Sequence, residues 1–276
     1  MDVPTIETFR VARTRDDLEL APGETFLAGG TWLMSEPQPE TTGLVDLTGM
    51  GWPDLEITRH GLRISATCTI ARLVDFARGG TPIAVPETWL AVDTFEPAAD
   101  ALLASFKIWN TATVGGNICR SFAAAAMVAL TVALDGIAEV WAPGGGIRHV
   151  PVAEIVTGNG TNNLARGEVL RAIDLPARAL ESRLVLRKIA LAEYGRSGAV
   201  VTGRTDADGT TVFGITAATQ APVVFRFDGV PDVRILESAV RTAPGYYSDP
   251  LGAADWRRSV SIVLAERIRR ELVGAA

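Results

Sequence analysis

A chain of 276 residues, 47% hydrophobic and 21% charged, is long enough to bury one large core or two ordinary ones, and its composition is neither disordered nor fibrous. Its net charge of -6 argues against a surface for phosphate backbones, so nucleic acid is not an expected partner. Two cysteines, Cys68 and Cys119, and two histidines, His60 and His149, stand in no metal-ligand spacing; no metal or iron–sulfur site held by this chain alone is expected, and the thiols read as small buried hydrophobes.

The start, MDVPTIETFRVART, lacks the charged and then apolar pattern of an export signal, which points to a cytoplasmic location. TFLAGG reads as a buried strand that turns sharply at two glycines, and GLVDLTGM as a second strand and turn. LEITRHGLRIS predicts a hairpin, with Leu55 and Ile57 answered by Leu62 and Ile64 across a His60-Gly61 turn. TIARLVDFA places Ile70, Leu73, Val74 and Ala77 on one helix face. PETWLAVDTFEPAADALLASF predicts further helical turns, and ADALLASFKIWN an amphipathic helix directly ahead of ATVGGNICRS.

The run from Ala123 to Leu134 is too short to cross a bilayer of about 30 Å and weak in large side chains, so a buried helix from Ala126 to about Leu134 is expected with no membrane span. IAEVWAPGGGIRHVPV predicts a second hairpin turning at Pro143 to Gly146, and GEVLRAIDLP a strand that Pro176 ends. Around Ala177 to Ser182 the pattern changes, which divides the chain into domains at 1–177 and 178–276. Three or four strands follow, with a hairpin turn at Asp206 to Gly209, then helices over Val233 to Thr242 and Ala253 to Val273. That order describes an α+β unit of about a hundred residues. Arginines in the last helix alternate with Glu266 and Glu271, as on a solvated face or a protein contact.

Two glycine pairs echo each other: AGGT at Ala28 to Thr31 and VGGN at Val114 to Asn117. Glycine lets a ligand reach the backbone, and successive N–H groups in such turns form anion-binding concavities, so two of them suit a ligand with two phosphates; tight turns use the same residues. Neither pair fits a G-x-G-x-x-G fingerprint or a P-loop, and no Ser-His-Asp or H-E-x-x-H arrangement can be assembled. An enzyme built on this chain needs a cofactor for its chemistry.

FLAGGTWLM, GLVDLTGM, GLRISATCTIARL, NTATVGGNICRS and GEVLRAIDLP resemble, in order and spacing, the FAD-binding medium subunit of molybdenum hydroxylases, the xanthine dehydrogenase and carbon monoxide dehydrogenase family. From about Arg183 the chain looks like that family's flavoprotein C-terminal domain. The resemblance implies an α+β fold of the vanillyl-alcohol-oxidase (PCMH) type: a two-lobed domain holding FAD between its lobes, then a small α+β C-terminal domain. It implies one cofactor wall of Ala28, Gly29, Gly30, Thr31 and Trp32, and another of Thr113, Gly115, Gly116 and Asn117. Leu164 falls where the family places an apolar residue near the flavin. Lys188 falls where a lysine commonly approaches the ring, and a cation there raises the flavin potential.

The same resemblance implies electron transfer, from a molybdopterin-binding large subunit through a [2Fe-2S] small subunit to FAD here and on to an external acceptor. No catalytic residue is expected on this chain. Two departures from the pattern stand out: Ala126 replaces the family's aspartate, and Trp32 takes a position that is often Asp, Glu or Ser, where it would cover the cofactor or simply pack. Losing one hydrogen bond would weaken FAD binding by about 1–3 kcal/mol. Two other readings therefore stay open, a scaffold subunit that lost tight FAD binding and a stand-alone flavin oxidase or reductase.

Overall fold

The computed structural model describes residues 5–101, 106–192 and 195–274. Three short strands open the chain, β1 (Thr8–Val11), β2 (Glu24–Leu27) and β3 (Gly43–Asp46), with β1 and β2 both parallel to the central β3. Ala12, Leu18, Val45 and Leu47 form the core of this small lobe and meet Val169 from the next one. Arg10 on β1 pairs with Glu24 on β2 at 2.8 Å, pinning the strand that leads into the first glycine pair.

The second lobe begins with the expected hairpin, β4 (Leu55–Thr58) and β5 (Gly61–Ser65), in register Leu55 to Ile64 and Ile57 to Leu62. Its turn falls one residue earlier than the sequence reading, at Arg59-His60. Gly61 is instead the first residue of β5: its φ is 141°, and a Cβ there would lie 1.9 Å from the Leu175 carbonyl oxygen. The glycine is needed for strand approach, not for the turn.

Thr69 caps α1 (Ile70–Ala77) through the Arg72 N–H. Helices α2 (Phe95–Ala99), α3 (Phe106–Trp109), α4 (Val114–Arg120) and α5 (Ala126–Ala133) follow. Of the amphipathic helix expected before the second glycine pair, α3 is described, while residues 102–105 of that expectation lie outside the described residues. β6 (Ile137–Trp141) and β7 (Ile147–Pro151) form the second hairpin, and α6 (Val152–Ile155) leads into the small pair β8 (Val156–Gly158) and β9 (Thr161–Asn162). β10 (Val169–Pro176) then inserts between β5 and β6, closing an antiparallel sheet of order β4-β5-β10-β6-β7.

After α7 (Ala177–Leu180), the strands β11 (Arg183–Ala190), β12 (Ser197–Thr205), β13 (Thr211–Thr216) and β14 (Val223–Phe227) form an antiparallel meander, backed by α8 (Val233–Arg241) and α9 (Ala254–Val273). Every residue of α5 is buried, because α2, α4 and α6 flank it and β12 and β13 pack against it; an apolar helix of this kind has no face to leave in water. Just past its end, Asp135 sits at φ 53° and accepts from Arg178 (2.7 Å) and from fully buried Arg204 (2.6 Å). Arg204 also donates to Asp206 (2.7 Å) and to the Ala133 carbonyl, so the meander is tied to the end of α5 by a paired ionic network. Among the described residues no helix is long and apolar enough to cross a membrane.

Candidate functional site

The first glycine pair lies where β2 ends. A Cβ on Gly29 would stand 1.9 Å from the Thr111 carbonyl oxygen, so this loop packs on the backbone just before α4. Gly30 follows at φ 66°, a conformation glycine adopts without strain. The chain then winds through a turn closed by Met34 N–H to Gly30 and Ser35 N–H to Trp32, both 2.9 Å. Among the described residues, none accepts from the N–H groups of Gly29, Gly30, Thr31, Trp32 or Leu33.

The second pair is built differently. Gly115 and Gly116 lie inside the first turn of α4, which Thr113 caps by accepting from Gly116 N–H at 3.0 Å. Val114 N–H donates to Cys68 (2.8 Å), Gly115 N–H to Ala66 (3.0 Å) and Asn117 N–H to Thr113 (2.9 Å). All four donors are used within the chain, and the anion-binding concavity expected here does not form. A Cβ on Gly115 would meet that of Ala66 at 2.4 Å, so the glycine serves helix-to-strand approach. The Asn117 side chain accepts from Met127 N–H at 2.9 Å and thereby caps α5, whose own N-cap residue, Ala125, has no side-chain acceptor. That bond fixes the amide orientation and leaves the Asn117 Nδ2 as a donor.

Between these walls runs a cleft of about 660 Å³, within the ~300–1,000 Å³ usual for small-molecule and cofactor sites. Ala28, Gly29, Gly30, Thr31, Trp32, Thr113, Gly115, Gly116, Asn117 and Leu164 all line it. Asn162 holds Leu164 in place: its Oδ1 accepts from Leu164 N–H (3.0 Å) while its Nδ2 donates to the Cys119 carbonyl at the end of α4 (2.7 Å). Lys188 is not brought to the cleft lining; its ammonium donates to the Asp100 carbonyl at 2.7 Å.

Residues 7–178 match the family described as the FAD binding domain in molybdopterin dehydrogenase. The chain belongs to that family. A segment of 84 residues is 36% identical to the xanthine dehydrogenase FAD-binding subunit of Escherichia coli O157:H7, covering 30% of this chain and 28% of that one. The crystal structure of quinoline 2-oxidoreductase from Pseudomonas putida 86 superposes with a TM-score of 0.81 at 18% identity, over 100% of this chain and 99% of that one. Carbon monoxide dehydrogenase from Hydrogenophaga pseudoflava gives 0.78 at 18%, over 97% and 96%. The PCMH-type two-lobed fold with its following α+β unit is therefore the architecture of this FAD-binding domain.

The cleft of this FAD-binding domain suits the cofactor in two respects. The loop after β2 presents a run of unpaired N–H groups, the donor set a diphosphate needs, and with Gly29 seated on Thr111 the loop is fixed against the opposite wall. The fit is incomplete at Ala126, which is buried in the first turn of α5 and does not reach the cleft.

Several residues that line the cleft were not expected as site residues: Cys119, Arg120, Phe122, Asn162, Glu168 and Arg196. Burial pushes the Cys119 thiol up to about 12, so it stays protonated and inert. Glu168 is held below the usual carboxylate range by its hydrogen bond from Arg148, with Ala165 N–H also donating, and acts as an internal anchor. Trp32 both lines the cleft and packs, since its half-buried ring meets Phe122 edge-on at 6.4 Å between centroids.

Proposed function

We propose that this chain is the FAD-carrying electron-transfer subunit of a molybdopterin-dependent dehydrogenase or hydroxylase. Electrons come from a [2Fe-2S] small subunit, which a molybdopterin-binding large subunit feeds, and leave to an external acceptor. The proposed division is an FAD-binding domain over 1–177 and a C-terminal domain over 178–276. The observation that carries the reading is the loop of unpaired N–H groups at Gly29 to Leu33, facing a glycine-walled cleft between two lobes.

FAD, when bound, supplies the exchange between two-electron and one-electron transfer. The chain's own part is to bind, orient and shield. Gly29, Gly30, Thr31 and Trp32 offer backbone donors beside Ala28, Asn117 offers its Nδ2, and Leu164 offers an apolar surface. Thr113, Gly115 and Gly116 shape the second wall and hold α4 against Ala66. Two positions weaken the site, since Ala126 has no polar group to offer and the Lys188 ammonium donates to the Asp100 carbonyl. They motivate the second reading, a scaffold subunit of the same assembly without tightly held FAD.

The visible absorption spectrum of the purified chain, alone and co-expressed with its proposed partners, tests both. Flavin bands with about one FAD released per chain on denaturation support the electron-transfer reading. A colourless chain within an intact assembly replaces it with the scaffold.

A further inference from the structure

The cleft holds a guanidinium without an anion. Arg120, at the end of α4, places its guanidinium carbon 3.6 Å from the Trp32 ring centroid and 4.3 Å from that of Phe122. It is thus clamped between the loop of unpaired N–H groups, to which Trp32 belongs, and the opposite wall. Among the described residues no carboxylate lies within ion-pair distance of it, whereas Arg10, Arg63, Arg148 and Arg204 all have such partners. Its Nε is buried and has no acceptor. Burial also lowers its pKa from the ordinary arginine value, with the field of Glu36 opposing, yet a guanidinium remains charged under any physiological condition. A second arginine, Arg196 on the approach to β12, lies 5.8 Å from the Phe122 ring on the same cleft.

A buried donor left without an acceptor is costly, and native structures keep such groups where a ligand completes them. Cation–π stacking satisfies the flat face of a guanidinium but none of the five N–H donors in its plane. Those donors have the fork geometry that matches phosphate oxygens. The two aromatic rings against it restrain the group, which reduces the entropy lost on pairing.

We infer that Arg120, held between Trp32 and Phe122, is the cation that pairs with the diphosphate of a flavin dinucleotide in this cleft. The inference rests on the FAD-binding reading above, and it assigns Trp32 a role as well: its ring holds the guanidinium beside the loop donors. Trp32 and Arg120 then form one device.

Flavin binding by the full chain, stripped of cofactor, distinguishes the possibilities. FAD and riboflavin are titrated separately, following quenching of flavin fluorescence. Arg120→Gln should weaken FAD by about 10- to 100-fold, the range for a charge-assisted hydrogen bond, with riboflavin binding unchanged. Arg120→Lys, which restores charge without the stacking plane, should recover part of the FAD affinity. Equal weakening of both flavins, or of neither, overturns the assignment. Unchanged affinities with a lowered flavin midpoint potential place the guanidinium at the ring and overturn it too. Should Arg120→Gln fail to fold by circular dichroism, competition on the unmodified chain decides: inorganic pyrophosphate should displace FAD and leave riboflavin in place, and failure to displace FAD counts against the proposal. A chain that binds neither flavin overturns the FAD-binding reading itself.

Discussion

Gly29-Gly30 and Gly115-Gly116 read alike and fold differently. In each pair the first glycine is spent on close packing, Gly29 against Thr111 and Gly115 against Ala66. The second glycines diverge: Gly30 takes a left-handed conformation in a loop where the N–H groups of Gly29 to Leu33 are unpaired, while Gly116 sits in a helix turn whose N–H groups are all used. A glycine pair therefore marks a close approach in both places, and only the destination of the neighbouring N–H groups tells a ligand wall from a packing contact.

The sharpest way to break this comparison is to fill the two packing glycines. Gly29→Ala forces a methyl into the Thr111 carbonyl, a backbone group that cannot rotate aside, and should cost about 3 kcal/mol or more, at the upper end for overpacking. It should also shift the donor loop and empty the folded fraction of flavin. Gly115→Ala drives its methyl into Ala66 and should cost about 2 kcal/mol, while the loop after β2 is untouched and flavin per folded chain is retained. Urea denaturation with flavin content measured on the folded fraction reads both; equal flavin loss in the two variants would show that the walls are not separable.

Acid should act on the first wall selectively. The Glu24 carboxyl is held at about 2, against an ordinary 4.5, chiefly by the Arg10 guanidinium and also by Ala21 N–H. Because the folded value is the lower one, its stabilisation is complete above pH 4.5 and is lost as pH falls from there toward 2. Glu24→Gln should cost about 2 kcal/mol near neutrality, less than full linkage because Arg10 is partly solvated. The difference between variant and parent should vanish in acid, which parallel urea titrations along that pH range would show. A gap that stays constant with pH would assign the effect to packing.

Asn117 couples the second wall to the long buried helix. Asn117→Ala removes the acceptor for Met127 N–H and leaves α5 uncapped, which should cost about 1–2 kcal/mol in thermal or urea unfolding. Asn117→Asp keeps the acceptor and adds a negative charge at the N-terminus of α5, so stability should hold or rise slightly. In that variant FAD should bind more weakly, because a carboxylate replaces the donor facing the cleft. Stability and flavin affinity thus move apart, which a capping role alone would not produce.

The strands, both hairpins and the last two helices were legible because their periodicity and turn residues agree. Gly61 was misplaced by one residue: the turn signal was correct, but the reason for the glycine, the Leu175 carbonyl from a strand more than a hundred residues later, is invisible locally. Of the cleft, the residues expected from the two motif walls and Leu164 were legible by resemblance. Arg120, Phe122 and Arg196 were not, because their meaning lies in each other and in Trp32, contacts that cross the cleft. Lys188 illustrates the converse: a motif position does not say where a flexible ammonium will rest.

The smallest expected effect tests the comparison most finely. Gly116 is helical, solvent-exposed and on the cleft wall, so alanine there gains helix propensity worth up to about 1 kcal/mol. Its Cβ would stand 2.8 Å from the Thr113 Oγ1, an atom at the end of a rotatable side chain. Displacing that hydroxyl sacrifices part of a cap worth about 1 kcal/mol, which Thr113→Ala measures on its own. The two terms oppose each other, and Gly116→Ala should unfold within about 0.5 kcal/mol of the parent. If Gly116 were kept only for the fold, flavin affinity would follow stability and stay put. Because the added methyl projects from the wall that FAD is proposed to touch, affinity should fall while stability does not, and that separation would show that the second glycine pair serves the ligand by its missing side chain, where the first serves it by its backbone.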